Sequence, residues 1–296
     1  MGTSRTTVIG AATRVAELQA GETRSTDTLI IDTSTPWARW CRDLLMYRGA
    51  LYSLAWRNVR SRYKQAALGI SWAVVQPLVQ TGVFTVFFGI LAGIPSGDVP
   101  YPAFALAGLV PWNLFQKVTT EGAASLVTNQ NLITKLYFPR IYLVLASGAS
   151  ALIDAAVGIA LLVALMIWYS LAPGLAVLVA IPALLGVALL AFGTAALLGS
   201  LNARWRDIQH AVPFALQVGL FVTPVIYQSS FVPERWQWIL ALNPLTGLLE
   251  VFRSATLGVP LPAAHVLLLS GTVSILMVVF GVWQFTRSEA TIVDVV

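Results

Sequence analysis

Four long stretches of this sequence are almost free of charge, which restricts the chain to a fold built in lipid. Residues 70–116 hold no Lys or Arg and one acid, Asp98. Residues 141–203 again hold no base and one acid, Asp154, and residues 208–233 and 254–286 hold no charged side chain. About 20 apolar residues at 1.5 Å each cross a hydrocarbon core of about 30 Å, so runs of this length are candidate transmembrane helices. Charged residues make up 10% of the 296 in the chain, against about 25% in soluble proteins. So few charges do not cover a water-facing surface. A soluble enzyme and a disordered chain are both excluded.

The spans read as residues 70–92, 102–117, 141–169, 174–201, 211–228 and 264–285. The second is short, with Pro111 inside it and Lys117 able to extend it by snorkelling. Of the eighteen Lys and Arg, all but Arg235 and Arg253 fall on one side if the N-terminus is cytoplasmic. The positive-inside rule therefore puts both termini in the cytoplasm. The sequence predicts an all-α integral membrane protein with six transmembrane helices, an N-terminal amphipathic interface helix and an external re-entrant hairpin between the fifth and sixth spans. Along the chain this gives a flexible cytoplasmic tail over 1–35, the interface helix within 36–69, the membrane domain over 70–286 and a cytoplasmic C-terminal tail over 287–296.

Ahead of the first span, Leu44, Tyr47, Leu51, Leu54, Ala55 and Val59 recur at three- and four-residue steps, forming an apolar stripe. Ser53, Arg57, Arg60 and Lys64 repeat that spacing on another face. Such a helix lies in the interface plane. Its bases either enforce topology and bind anionic lipid, or contact a partner and line an entrance.

Several chemistries are missing. The three lysines follow Tyr63, Gln116 and Thr134, so no Gly-Lys phosphate loop exists to bind ATP. The two histidines, His210 and His265, are far apart and no His-Glu-x-x-His occurs. The single cysteine, Cys41, makes no intramolecular disulfide and no cysteine-based metal site. No catalytic, cofactor or metal residue is expected. Asp154 is the one acid inside a span, read either as a functional carboxylate or as a structural one pairing with a neighbouring helix. With no second ionisable group expected in a span, it makes a poor proton relay.

Three connecting segments are patterned. Residues 129–140 run from polar turn formers through Leu132 and Ile133 to Tyr137, Phe138 and Pro139, which suits a short helix set into a groove on another protein or on this chain's own helices. Residues 202–208 form a tight turn of mixed charge. Residues 231–262 alternate apolar pieces with Pro233, Pro244 and Pro260 and carry Glu234, Arg235, Glu250 and Arg253, which fits two short helices dipping into the outer leaflet or lying on it. The aromatics Phe84, Phe87, Phe88, Trp112, Phe221 and Tyr227 lie in or beside spans, as packing residues or as a stacking surface for sugars.

These parts, in this order, resemble the permease subunits of type-2 ABC exporters of polysaccharides and polyol phosphates, closest to O-antigen exporters of the Wzm type. The resemblance covers about residues 36–258. It is carried by Arg62-Tyr63-Lys64-Gln65 with Leu68-Gly69, by Gln76-Pro77-Leu78, and by Asn131-Leu132-Ile133 with Lys135 and Tyr137-Phe138-Pro139-Arg140. Arg206-Asp207-Ile208, Thr223-Pro224-Val225-Ile226-Tyr227, Asn243-Pro244 and Arg253 follow.

The resemblance implies a cytoplasmic entrance at Arg57, Arg60, Arg62 and Lys64. It implies coupling to an ATPase at Asn131, Leu132, Lys135, Tyr137, Phe138, Arg140, Arg206 and Asp207. An external gate would involve Glu234, Arg235, Glu250 and Arg253, with a substrate path past the aromatics. It further implies a homodimer in the bacterial inner membrane, with ATP and Mg on a separate nucleotide-binding subunit and a lipid-linked polysaccharide as cargo. Teichoic-acid or capsular polysaccharide export is the alternative within the class. Outside it stand a membrane-embedded glycosyl- or phospho-transferase on a lipid carrier, and an ion channel or proton-coupled carrier.

Overall fold

A computed structural model describes residues 45–64, 71–135, 138–172 and 174–295. The expected tail over 1–35, Leu44, Gln65, Leu68, Gly69 and Tyr137 lie outside the described residues, as do the side chains of Tyr63 and Lys64. Every regular element among the described residues is helical. In chain order they are α1 (Arg48–Lys64), α2 (Ser71–Phe84) continuing as a π-helix over Thr85–Leu91, α3 (Tyr101–Thr128), α4 (Gln130–Ile133) and α5 (Ile141–Ser147). Then come α6 (Ala149–Trp168), α7 (Val177–Arg204), α8 (Ile208–Val222), a 3-10 turn at Ser229–Phe231, α9 (Glu234–Leu242), α10 (Pro244–Leu257) and α11 (Ala264–Val295).

Local sequence sets the boundaries. Pro100 precedes α3 and Pro102 occupies its first turn, where a missing N–H costs nothing. The Asn243 side chain accepts from the Leu245 N–H, Pro244 opens α10, and Gly258 closes it with a φ of 70°. The apolar stripe expected on α1 is present: Leu54 is buried and Tyr47, Leu51, Ala55 and Val59 are half-buried, while Ser53, Arg57 and Arg60 are exposed.

Four helical segments among the described residues are long and apolar enough to cross a membrane: Ser71–Leu91, Ile141–Trp168, Val177–Arg204 and Ala264–Glu289. They match the expected first, third, fourth and sixth spans. The expected fifth span falls on α8, which is apolar but has 15 residues. The expected second, 102–117, is only the front of a 28-residue helix. Lys117 and Glu121 lower its hydropathy without ending it, because both are paired.

α3 is the centre of the bundle, packed against α7, α6, α5, α10, α8 and α2. Its residues Tyr101–Leu114 are almost wholly buried. In lipid, apolar burial gives helices little reason to associate, so cohesion comes from close packing across small residues and from hydrogen bonds. Gly122 faces Ala195, and a Cβ on Gly199 would sit 3.3 Å from the Gly122 carbonyl oxygen, so α3 and α7 nearly touch backbone to backbone. α7 and α11 meet the same way: a Cβ on Gly193 would lie 2.7 Å from the Val278 Cα, and one on Gly281 would collide with the Gly193 carbonyl. The outward faces are the apolar ones, with Leu185 and Leu189 on α7 and Leu276 and Val279 on α11 all exposed.

Gly193→Leu should therefore force α7 and α11 apart and lower the melting temperature of the purified chain in mild detergent, consistent with an overpacking cost of about 1–3 kcal/mol. Gly271→Leu, at a site with nothing within 4 Å of an added Cβ, should leave it unchanged.

Candidate functional site

Two polar assemblies hold the bundle, one at each end of α3. The Asn202 side-chain amide donates to the Ala123 carbonyl at 2.9 Å, so α3 and α7 finish side by side. α4 and the turn at 205–207 therefore belong to the same end, and α1 joins them there. Arg57 Nη2 donates to Asn129 Oδ1 at 2.7 Å, tying α1 to the α3–α4 junction.

One turn further along α1, Arg62 enters a cluster of ionisable groups. Its Nη1 lies 2.8 Å from Glu121 Oε1 and its Nη2 lies 3.6 Å from Asp154 Oδ2. Asp154 is also ion-paired with Lys117. Ser150 Oγ donates to Glu121 Oε2 at 3.0 Å. The sequence places these groups by helical spacing: Lys117 and Glu121 are four apart on α3, and Ser150 and Asp154 are four apart on α6, so each pair shares a face. The expectation that Asp154 has no ionisable companion within the bundle is corrected here; its reading as a carboxylate paired with a neighbouring helix is the one the geometry supports. Lys117, expected to snorkel at the end of a span, is ion-paired inside the bundle, and Glu121 joins it as a site residue outside the sequence expectations. Their four-residue spacing, matched by Ser150 and Asp154, was the available signal.

A cavity of about 270 Å³ opens beside the cluster, lined by Arg62, Gln76, Asn113, Lys117, Glu121 and Asp154 among others. Asn113 Nδ2 donates to Gln80 Oε1 at 3.0 Å, which sets α2 against α3 as the cavity's far wall. None of the six aromatics singled out in the sequence lines it. Phe84 and Trp112 are buried in the core, Phe84 edge-on to Phe88 at 5.5 Å. Phe87 and Phe221 are exposed. The Tyr227 hydroxyl donates to the Val222 carbonyl at 3.1 Å.

The expected coupling residues divide by exposure. Asn131, Lys135, Arg206 and Asp207 are exposed, as is Trp205 beside Arg206 in the chain. Leu132 is half-buried on the single turn of α4, and Phe138 is buried. The Arg140 backbone N–H donates to Glu289 Oε1 of α11 at 2.9 Å, so the segment is fastened at both ends while its polar side chains face outward. Arg60 is exposed on α1.

At the opposite end, the four charges expected at an external gate split into two pairs. Glu234 and Arg235 are exposed at the start of α9, Arg235 lying 5.8 Å from the Trp236 ring. Arg253 is 2% exposed. Its Nη2 donates to the Val225 carbonyl at 2.6 Å, its Nη1 to the Tyr227 carbonyl at 3.4 Å, and its guanidinium lies 4.0 Å from the Phe104 ring centroid. Glu250 accepts from the Ser229 N–H and hydroxyl at 3.0 and 2.9 Å. The Tyr101 hydroxyl donates to the Ile226 carbonyl at 2.9 Å, and Asn243 Nδ2 to Thr223 Oγ1 at 2.8 Å. The non-helical segment 223–227 is thus pinned from α3 and from the α9–α10 hairpin. Gly108 makes room for this: a Cβ there would collide with Arg253 Nη2 and the Val225 carbonyl.

The family model described as ABC-2 type transporter matches residues 49–257, well over half of the chain. The chain belongs to that family. It is 27% identical over 233 residues to an O-antigen export system permease protein of Klebsiella pneumoniae, covering 78% of this chain and 88% of that protein. It is 28% identical over 243 residues to an O-antigen export system permease protein of Myxococcus xanthus, covering 81% and 92%. A polysialic acid transport protein of Escherichia coli is 23% identical over 207 residues, covering 68% and 78%. This ABC-2 chain is a multi-pass membrane protein, and the matched region takes in both polar assemblies.

Arg253→Lys should destabilise almost as much as Arg253→Met, because a single ammonium does not serve two carbonyls and lie flat on Phe104 at once. Either change leaves a buried acceptor without its donor, at about 1–3 kcal/mol each. Thermal melts of the parent and the two variants in the same detergent check this.

Proposed function

We propose that this chain is the transmembrane permease subunit of an ATP-driven exporter that carries a lipid-linked, O-antigen-like polysaccharide from the cytoplasm to the outer face of the bacterial inner membrane. The observation that carries the reading is the clustering of α1, α4 and the 205–207 turn at one end of an ABC-2 bundle, with Asn131, Lys135, Arg206 and Asp207 exposed there. That end offers a separate ATPase a polar, mixed-charge docking face. The relatives named for O-antigen export favour that cargo, being more similar and more fully covered than the polysialic acid transport protein.

In this reading the chain has six spans, with α3 and α8 as the second and fifth, and both termini are cytoplasmic. The α9–α10 hairpin re-enters from the outer side. Two copies and two nucleotide-binding subunits form the working complex, and ATP with Mg binds only on the latter. α1 borders the cytoplasmic entrance. Nucleotide binding on the partner shifts the α4 segment and the 205–207 turn, and the population of an outward-open path rises as those loops move. No bond of the glycan is made or broken by this subunit.

The test is reconstitution of the tagged chain with the ABC ATPase that co-purifies with it, in vesicles loaded with lipid-linked glycan. Export should require ATP and both subunits. Lys135→Glu should reduce it at least tenfold, and more than Asp154→Asn does, with the chain still inserted. Glycan movement or sugar transfer by the chain alone would overturn the reading.

A further inference from the structure

We propose that the Arg62–Glu121–Asp154–Lys117 cluster is a releasable latch, in which α1 swings off α3 and α6 by withdrawing Arg62 while Lys117 stays to neutralise Asp154. The latch takes its place in a transport cycle from the export reading above; its geometry stands apart from that reading.

Asp154 has two cations within reach, and they differ in where they are mounted. Lys117 belongs to α3, inside the bundle, and its side chain is 18% exposed. Arg62 belongs to α1, and its side chain is 36% exposed. A lone carboxylate at membrane depth is strongly disfavoured, so an anchor with one cation has no way to open without stranding a charge. With two, Arg62 leaves and a neutral Lys117–Asp154 pair remains. Glu121, the other acid that Arg62 holds, is 34% exposed and keeps the Ser150 hydroxyl as a donor. Water takes the place of the guanidinium there. No member of the cluster is left buried and bare.

α1 is built to detach. Among its described side chains Leu54 alone is buried, while Tyr52 and Trp56 are exposed. It leans on α5 and α6 through a half-buried apolar stripe, and its side-chain ties are polar, Arg57 with Asn129 and Arg62 with the cluster. Partly exposed contacts of this kind exchange readily with water. Arg62 is also the one described residue of α1 that lines the 270 Å³ cavity. Its withdrawal removes a wall and opens a polar space lined by Gln76, Asn113 and Asp154 toward the face from which α1 departs. Lys117 and Asp154 are then positioning residues, acting through Arg62 on where α1 lies.

Nitroxide labels at the exposed Ser61 and Thr128, in a Cys41→Ser background of the full chain in liposomes, read the α1–α3 separation by pulsed dipolar spectroscopy. Two populations are expected. The longer one should grow at least threefold in Arg62→Ala and return to within twofold of the parent in Arg62→Lys. Lys117→Met should shrink the longer population at least threefold, because Asp154 then draws on Arg62 without competition from Lys117. A purely static anchor predicts one separation in the parent, with no second population for Lys117→Met to shrink. A single separation unaffected by Arg62→Ala, or an enlarged longer population in Lys117→Met, overturns the latch. Arg62 is only part-buried, so its variants carry the test even if Lys117→Met does not fold. The distances need neither ATPase nor export, so failure of the latch and failure of the export reading are read separately.

Discussion

A helix surrounded by hydrocarbon gains little by hiding its apolar side chains from an equally apolar solvent. Everything that makes this bundle one object follows from that. The exposed faces of α7 and α11 carry Leu, Val and Phe, while the contacts between them are made by Gly193 and Gly281, where backbones come close enough for dispersion to act over long stretches. The central helix α3 follows the same rule with Gly108 and Gly122. Small residues set how near the helices come, and the polar assemblies set which helices meet.

Those assemblies are placed at the two ends of α3 and differ in character. Arg253 itself is buried, and its guanidinium donates to main-chain carbonyls at 2.6 and 3.4 Å in a segment that could not otherwise pair its polar atoms in lipid. Around Arg62 the groups are partly exposed, their contacts range from 2.8 to 3.6 Å, and a cavity adjoins them. The first arrangement fixes a shape. The second leaves alternatives open. A membrane protein that must move at one end and hold at the other distributes its polar groups in this manner.

Much of the fold was legible in the sequence because lipid imposes a one-dimensional signal. The uncharged stretches located α2, α5 with α6, α7 and α11, and the i, i+4 pattern before the first span located α1. Pro244, read in the sequence as a break between apolar pieces, opens α10 behind an Asn243 side-chain cap. What the sequence concealed is what depends on contacts between distant residues. Hydropathy cut the second span at Lys117, since a window average treats a charge as a cost whether or not it is paired. The acid that Lys117 meets, Asp154, lies on α6, and the four-residue spacings on α3 and α6 mark a face on each helix without showing that the two faces meet. The burial of Arg253 was hidden for the same reason: it arises only when Phe104 and Val225 arrive from elsewhere in the chain.

The bond from the Arg140 N–H to Glu289 gives α11 a second employment. The same helix, about twenty residues earlier, accepts the hairpin: Ser270 Oγ donates to the Asn243 carbonyl at 2.8 Å and accepts from the Gly247 N–H at 2.9 Å. Between Ser270 and Glu289 runs uninterrupted helix, roughly 28 Å long at 1.5 Å per residue. A helix is stiff along its axis and has no joint in that interval. Axial force applied at Arg140 would therefore reach the far hairpin through one solid strut, crossing the thickness of the bundle with no loop in between to absorb it.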